Sequence, residues 1–360
     1  RRAPAKLRAL LQGKSTQLIY VIGPADSWSH MKDRWVAAVA KYMKTKFGDA
    51  GPGWTGFGYQ EGNKGTRNGN VGGNASTDDV YVTDSGTGWT GQYYNVPTSP
   101  DLAATTSSTA GDRISVKWQG AGNISAIPLR YTGGAGSIRY SWDNGATWTA
   151  LALSGSGMQI TNLAGIPAGT WTLILEIVSG TCQLMGCDLH KSGPGVRVHC
   201  IAATGSTSST WGHPSLQANI QAAWAAFGAI DLIDMYLGTN DQGFSLSYDL
   251  HESNMAALIA TARAASPGVD VLLATPAENG RSTTTHPQRL AGYAARDRKL
   301  AYLQKVTHLD MQQKFGPAYA DYGFGNAVFP TFDSDNIHPN NQLGGSLQVD
   351  ARLRLLETSI

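Results

Sequence analysis

The first long apolar run, Leu18-Ile19-Tyr20-Val21-Ile22-Gly23, is uninterrupted by charge and rich in β-branched residues, as a buried parallel strand requires. Beyond a turn, residues 31 to 47 place Trp35, Val39, Met43 and Phe47 four apart. That spacing predicts a helix with one apolar stripe, ended by Gly48. Gly51-Pro52-Gly53-Trp54-Thr55-Gly56-Phe57-Gly58 then reads as the start of a long loop.

Between about 76 and 192 the period changes to two. Ile114 to Trp118, Ile127 to Tyr131, Ser137 to Trp142, Thr147 to Leu153, Met158 to Leu163 and Thr170 to Val178 are short β-rich runs. Turn signals such as Gly133-Gly134 and Asp143-Asn144-Gly145 separate them, which points to an antiparallel β-sandwich. From 193 strands and helices alternate again. Strands are expected at 196–202, 231–238 and 269–275, and helices at 215–227, 252–265, 288–305 and 346–357. Alternation on both sides of an all-β block predicts one doubly wound α/β domain (1–75 and 193–360) interrupted by an inserted sandwich (76–192).

Composition narrows the function. A formal charge of +2 without a basic run argues against a nucleic-acid partner. No stretch reaches the length of a membrane span, so membrane insertion is not expected. Arg1-Arg2-Ala3-Pro4 lacks the apolar core of a signal peptide. Low charge (15%) with 43 glycines suits an extracellular or virion-associated protein. Cys182, Cys187 and Cys200 are too few for a disulfide framework and have no zinc spacing. Cys182 and Cys187 could pair across a tight turn, but small buried side chains are the preferred reading.

Candidate chemistry lies after the parallel strands, where open sheets form their sites. Asp26-Ser27-Trp28 follows the first strand and Gly205-Ser206-Thr207-Ser208 the second. Gly238-Thr239-Asn240-Asp241 follows the third, and Asp335-Asn336-Ile337-His338-Pro339-Asn340 precedes the last helix. Singly, each has an ordinary explanation as a helix cap, a turn or a solvated loop. Together, in this order, the four blocks resemble those of the SGNH (GDSL-like) serine hydrolases.

The resemblance implies a flavodoxin-like sheet, an esterase activity and no cofactor. It assigns Ser27 as nucleophile, His338 as base and Asp335 as the acid that orients the imidazole. It assigns the oxyanion donors to Ser27 and Gly205 backbone N–H groups and the Asn240 side chain. The family's usual Gly-Asp-Ser is here Ala25-Asp26-Ser27 after Gly23-Pro24. That departure bears on the turn presenting Ser27 more than on the identity of the nucleophile.

Among the other polar residues, Asp26 reads as a helix cap and Asp241 as a turn former. Asp231 and Asp234 are expected to make structural hydrogen bonds, and His30 and His213 to lie at the surface or to support the site. For Trp28, Trp54 and Trp211, near the blocks, core packing and substrate stacking stay equally open. Of the five tryptophans in the middle stretch most should be core, with Trp142 and Trp148 the better surface candidates.

An interrupted SGNH domain resembles carbohydrate O-acetylesterases of phage tailspikes and bacterial polysaccharide deacetylases. That implies removal of acetyl from a capsule or O-antigen, a jelly-roll-like insert that could bind sugar, and a homotrimer in a tailspike setting. A lipid or small-ester hydrolase and a glycan-binding adhesin on a decayed scaffold are the alternatives.

Overall fold

A computed structural model describes residues 2–25, 35–58, 79–92, 95–203, 205–281, 284–316, 318–340 and 342–358. Five parallel strands form the central sheet in the spatial order Gly195–Cys200, Gln17–Ala25, Leu232–Tyr236, Asp270–Thr275 and Thr307–Asp310. In chain order this is 2-1-3-4-5, the flavodoxin-like winding, whose direction switches between its first and third strands.

The first strand shows why the sheet needs two helical layers. Leu18, Tyr20 and Ile22 pack with Trp35, Val39, Met43 and Phe47 of helix Trp35–Phe47 and with Ala351 and Leu356 of helix Leu343–Glu357. Ile19 and Val21 point the other way, into Ile220 and Trp224 of helix Gln217–Ala225 and Leu258 and Ile259 of helix Tyr248–Ala265. Successive strand residues face opposite sides, so a strand buried on both faces is apolar throughout. Helices Arg2–Leu11 and Leu290–Gln304 complete the layers.

Two antiparallel sheets account for the middle of the chain. One has the order Met158–Asn162, Pro128–Thr132, Cys182–Leu189, Ala104–Ser107, Thr90–Gln92. The other has the order Val80–Ser85, Arg113–Trp118, Trp171–Ser179, Ser137–Ser141, Thr149–Ala152. Val116, Leu173 and Leu175 of the second join Leu129, Leu184 and Cys187 of the first in one core.

One expectation needs correction. Gly53–Gly56 is a strand and not a loop, pairing antiparallel with Cys182–Leu189 from Gly53 opposite Leu189 to Gly56 opposite Gly186. The expected division near 76 falls outside the described residues, but the chain has already entered the antiparallel sheet by Gly53. The parallel and antiparallel layers also share a core. Trp54, Val96, Leu102, Ala104 and Met185 share a cluster with Ile19, Val21 and Trp224 of the α/β part. As preferred from the sequence, Cys182 and Cys187 are buried; they lie on one strand as free thiols, with no turn between them. Among the described residues no helix is long and apolar enough to cross a membrane.

Candidate active site

The first strand runs through Gly23 and Pro24 to Ala25, carrying the chain to the edge of the site. The expected tight turn at Pro24-Ala25 is instead an irregular strand end, with a cis Gly23–Pro24 bond and a register shift between Ile22 and Ala25. Glycine is required at position 23, where φ is +129° and a Cβ would lie 2.6 Å from Ile201 Cγ1. Ser27, Trp28 and Asp26 lie outside the described residues, as does His30.

Hydrogen bonds tie the remaining blocks together. Ala25 O accepts from Ala203 N (3.1 Å) and from Ser206 Oγ (3.1 Å), fastening the strand end to the Gly205 loop. Asn240 Nδ2 donates to Ser206 O at 3.1 Å, so the Asn240 side chain lies against that same loop. A primary amide carries two N–H groups, and this bond uses one. Asp241, buried, accepts from Ser208 N at 2.8 Å, a second tie between the Gly205 and Asn240 blocks. As expected, Asp241 has a structural role.

The loop after strand Asp270–Thr275 makes the next link. Arg281 Nη1 donates to Thr239 O, beside Asn240, while Gly280 N donates to Asn336 O at 2.7 Å. Asn336 sits in the left-handed region (φ +61°), and its Oδ1 accepts from Tyr319 Oη at 2.8 Å. Contacts thus run continuously from Ala25, through the Gly205 and Asn240 blocks, to the loop of His338.

Within that loop, Asp335 does two things at once. Its Oδ1 accepts from the backbone N–H of Ile337 (2.8 Å) and His338 (3.0 Å), closing the turn. Its Oδ2 lies 2.6 Å from His338 Nδ1. Partial burial disfavours its charge, but the N–H groups of His338 and Ile337 and the His338 ring outweigh this and hold the carboxyl below its ordinary pKa. With Nδ1 engaged, Nε2 is the ring atom left to take a proton from a nucleophile.

The following helix anchors this loop. Asn340 accepts from Gly344 N at 3.0 Å and from Gly345 N at 2.7 Å, closing the first turn of Leu343–Glu357 onto the loop. Gly344 allows this approach, since a Cβ there would fall 2.3 Å from Thr331 O. Deeper in the helix, Arg352 Nε binds Asp234 Oδ2 at 2.7 Å with both side chains fully buried, and Tyr20 Oη donates to the same oxygen. Asp234 is structural, as expected, and Asp231 likewise pairs with Arg2 and Lys6. His213, exposed, caps a short 3-10 turn.

Of the three tryptophans considered for substrate stacking, two are corrected by their burial. Trp54 (1% exposed) donates to Asp101 Oδ2 and packs against Phe227 and Arg130. Trp211 (0%) donates to Ser206 Oγ and packs on Trp224. Neither offers a free ring face, and Trp211 supports the hydroxyl that holds Ala25. In the antiparallel sheets Trp118 and Trp171 are core, whereas Trp142 and Trp148 are half-buried, Trp148 beneath Arg139 and Arg113.

A cleft of about 660 Å³ opens beside the His338 loop. Phe324, Pro330, Phe332 and Leu343 give it apolar walls, and Ser334 and Gln342 add polar groups. Phe324 is 55% exposed, and its N–H donates to the same Tyr319 Oη that holds Asn336. No cluster of metal-ligating side chains is present among the described residues.

Residues 178–343 match the GDSL-like lipase/acylhydrolase family, spanning the Gly205, Asn240 and His338 blocks just described. That segment carries the likeness to GDSL-like ester hydrolases. No curated protein matches it. A solved structure described as a peptidoglycan O-acetylesterase in action is similar over 99% of this chain and 96% of its own, with a TM-score of 0.71 and 15% identity. At that identity the likeness establishes the hydrolase fold. The salicylyl-acyltransferase SsfX3 (14% identity, 78% of this chain and 94% of its own, TM-score 0.35) aligns far more loosely. So does a family two carbohydrate esterase from Cellvibrio japonicus (12%, 77% and 99%, TM-score 0.33), and neither bears on the argument.

A buried chain of polar side chains, unanticipated in the sequence, stands behind this site. His251 Nδ1 lies 2.7 Å from Asp241 Oδ2, and its Nε2 lies 3.1 Å from Asp297 Oδ1. Thr275 Oγ1 donates to Asp297 Oδ2 and meets His308 Nε2. A signal was present. His251 continues the stripe of Met255, Leu258, Ile259 and Ala262, and Asp297 falls between Ala294 and Leu300 on another. Ionisable residues at core positions of two helices call for partners.

Proposed function

We propose that the enzyme removes O-acetyl groups from a polysaccharide, with Ser27 as nucleophile, His338 as general base and Asp335 as its orienting carboxylate. The observation that carries the reading is the 2.6 Å contact of Asp335 Oδ2 with His338 Nδ1, which leaves Nε2 for the serine proton. His338 removes the Ser27 hydroxyl proton as its oxygen attacks the acetyl carbonyl. The Ser27 and Gly205 N–H groups and Asn240 Nδ2 stabilise the resulting oxyanion. His338 then delivers its proton to the leaving sugar oxygen. Water, deprotonated by the same imidazole, releases acetate and restores Ser27.

Three features support a glycan ester over a lipid one. The cleft beside the His338 loop mixes an exposed aromatic ring with Ser and Gln side chains and is not an apolar channel. The antiparallel sheets are continuous with the hydrolase core and could extend a polymer-binding surface. The solved structure of similar fold is described as a peptidoglycan O-acetylesterase. A surface polysaccharide as substrate would put the enzyme outside the cell or on a virion.

Acetate release from a panel of acetylated capsule, O-antigen, xylan and peptidoglycan tests the reading. Release by the wild type and its loss in Ser27→Ala are expected. Rapid cleavage of long-chain acyl esters, with no acetate from any glycan, would overturn the substrate. Unchanged activity in Ser27→Ala would overturn the mechanism.

A further inference from the structure

We propose that His251 is a positioning residue for the oxyanion site, a buried imidazolium that clamps Asp241 and through it the loops carrying Gly205 and Asn240. This rests on the reading of Gly205 and Asn240 as oxyanion donors.

Both His251 ring nitrogens face carboxylate oxygens, Asp241 Oδ2 at 2.7 Å and Asp297 Oδ1 at 3.1 Å. A carboxylate only accepts, so satisfying both contacts requires an N–H on each nitrogen and therefore a positive ring. All three side chains are at most 1% exposed. Two carboxylates at this depth need the cation between them. Burial itself works against the charged ring, but the charge of Asp297 and the hydrogen bonds and charge of Asp241 overcome it, and the pKa is pushed up to about 10.

The clamp leads directly to the proposed donors. Asp241 is the residue after Asn240, at the start of a one-turn helix, and its other oxygen holds Ser208 N in the Gly205 loop. One helical turn beyond His251, Asn254 Nδ2 donates to Ser209 Oγ (2.9 Å) and Ser208 Oγ (3.2 Å). Helix Tyr248–Ala265 therefore grips the Gly205 loop twice, directly and through Asp241. On the far side, Asp297 is held by Thr275 Oγ1 at the end of its strand. The remaining groups facing the ring are Tyr293, with its centroid 4.8 Å away, and Tyr248 and His308 one contact further out. An oxyanion hole works by fixed placement, and displacing a positioned group by about 1 Å can cost about 100-fold in rate.

Hydrolysis of p-nitrophenyl acetate by His251→Phe, Asp241→Leu and Asp241→Asn, each checked for folding by circular dichroism, tests the clamp. His251→Phe and Asp241→Leu should lower kcat about 10- to 100-fold with KM within about twofold. Asp241→Asn should recover most of the loss. Its amide oxygen can still accept from Ser208 N, and its amide N–H can donate to a His251 that has become neutral. A folded His251→Phe with wild-type kcat, a loss confined to KM, or Asp241→Asn as impaired as Asp241→Leu would each overturn the proposal.

If His251→Phe does not fold, the two Asp241 variants decide. Nitrogen NMR of the wild-type ring gives a readout independent of activity. Both nitrogens should stay protonated at pH 8, and a ring titrating near its ordinary value would overturn the charged clamp. An inert wild type with a protonated His251 would refute the esterase reading while leaving the charged clamp intact.

Discussion

His338 Nδ1 lies 2.6 Å from Asp335 Oδ2 in a loop where the same carboxylate also accepts the backbone N–H groups of Ile337 and His338. The proposed base and its orienting acid thus share a single turn, which Gly280 N and Tyr319 Oη hold at Asn336. Asp335→Asn should keep the turn, since its amide oxygen can accept both N–H groups, but remove the acceptor that selects the imidazole tautomer. We expect kcat to fall about 100- to 10,000-fold with little change in KM, and steady-state hydrolysis of p-nitrophenyl acetate checks it.

Asn240 Nδ2 already donates to Ser206 O, so its remaining N–H acts from a fixed amide. Asn240→Ala should lower kcat about 100- to 1000-fold, the usual loss for one oxyanion donor. A KM-only effect would assign Asn240 to substrate binding.

The cleft makes a prediction that separates polymer from acetyl. Phe324 is exposed and lines a cleft whose walls do not include Gly205, Asn240 or His338. Phe324→Ala should weaken kcat/KM for an acetylated polysaccharide about 5- to 100-fold, the scale of one lost aromatic contact of about 1–3 kcal/mol. Hydrolysis of p-nitrophenyl acetate by the same variant should stay near wild type.

Trp54 and Trp211 are expected to act on stability. Trp54→Ala should cost about 3–5 kcal/mol in denaturant unfolding, through loss of a buried ring beside Arg130 and Phe227. Trp211→Phe should cost about 1–3 kcal/mol, leaving Ser206 Oγ without its donor. Neither change should produce the selective loss on polysaccharide expected for Phe324→Ala.

His251 also predicts how stability varies with pH. Its folded pKa, about 10, stands above the ordinary 6.5, so the folded protein holds a proton that the unfolded chain gives up earlier. The stabilisation is complete below about pH 6.5, declines as pH rises, and is gone above about pH 10. Chemical denaturation across this window should show the decline in the wild type and a flatter profile in His251→Gln.

Much of this architecture was legible in the chain. The first parallel strand announced itself as an apolar run, because burial on two faces favours apolar residues, whereas Arg197, His199 and Asp234 interrupt the second and third and Thr307–Asp310 went unanticipated. The six expected strands of the middle block all form, since alternation and Gly-rich turns are local signals. Gly53–Gly56 was not legible, because three glycine- or proline-containing neighbours mask a strand that exists only by pairing with Cys182–Leu189, more than 120 residues away. The burial of Trp54 and Trp211 was equally hidden, since an indole has the same sequence signature in a core and on a sugar platform.

The sequence by itself determined the α/β alternation, the order of the candidate blocks and the Asp335–His338 turn, each encoded within a few residues by periodicity or spacing. Only the tertiary structure decided which side chains support those blocks. The Asp241–His251–Asp297 clamp, the Gly280 and Tyr319 bonds to Asn336, and the core shared by parallel and antiparallel sheets join residues far apart in sequence. Such contacts follow from burial, where each polar group must find a partner, and that partner is set by packing and not by proximity along the chain.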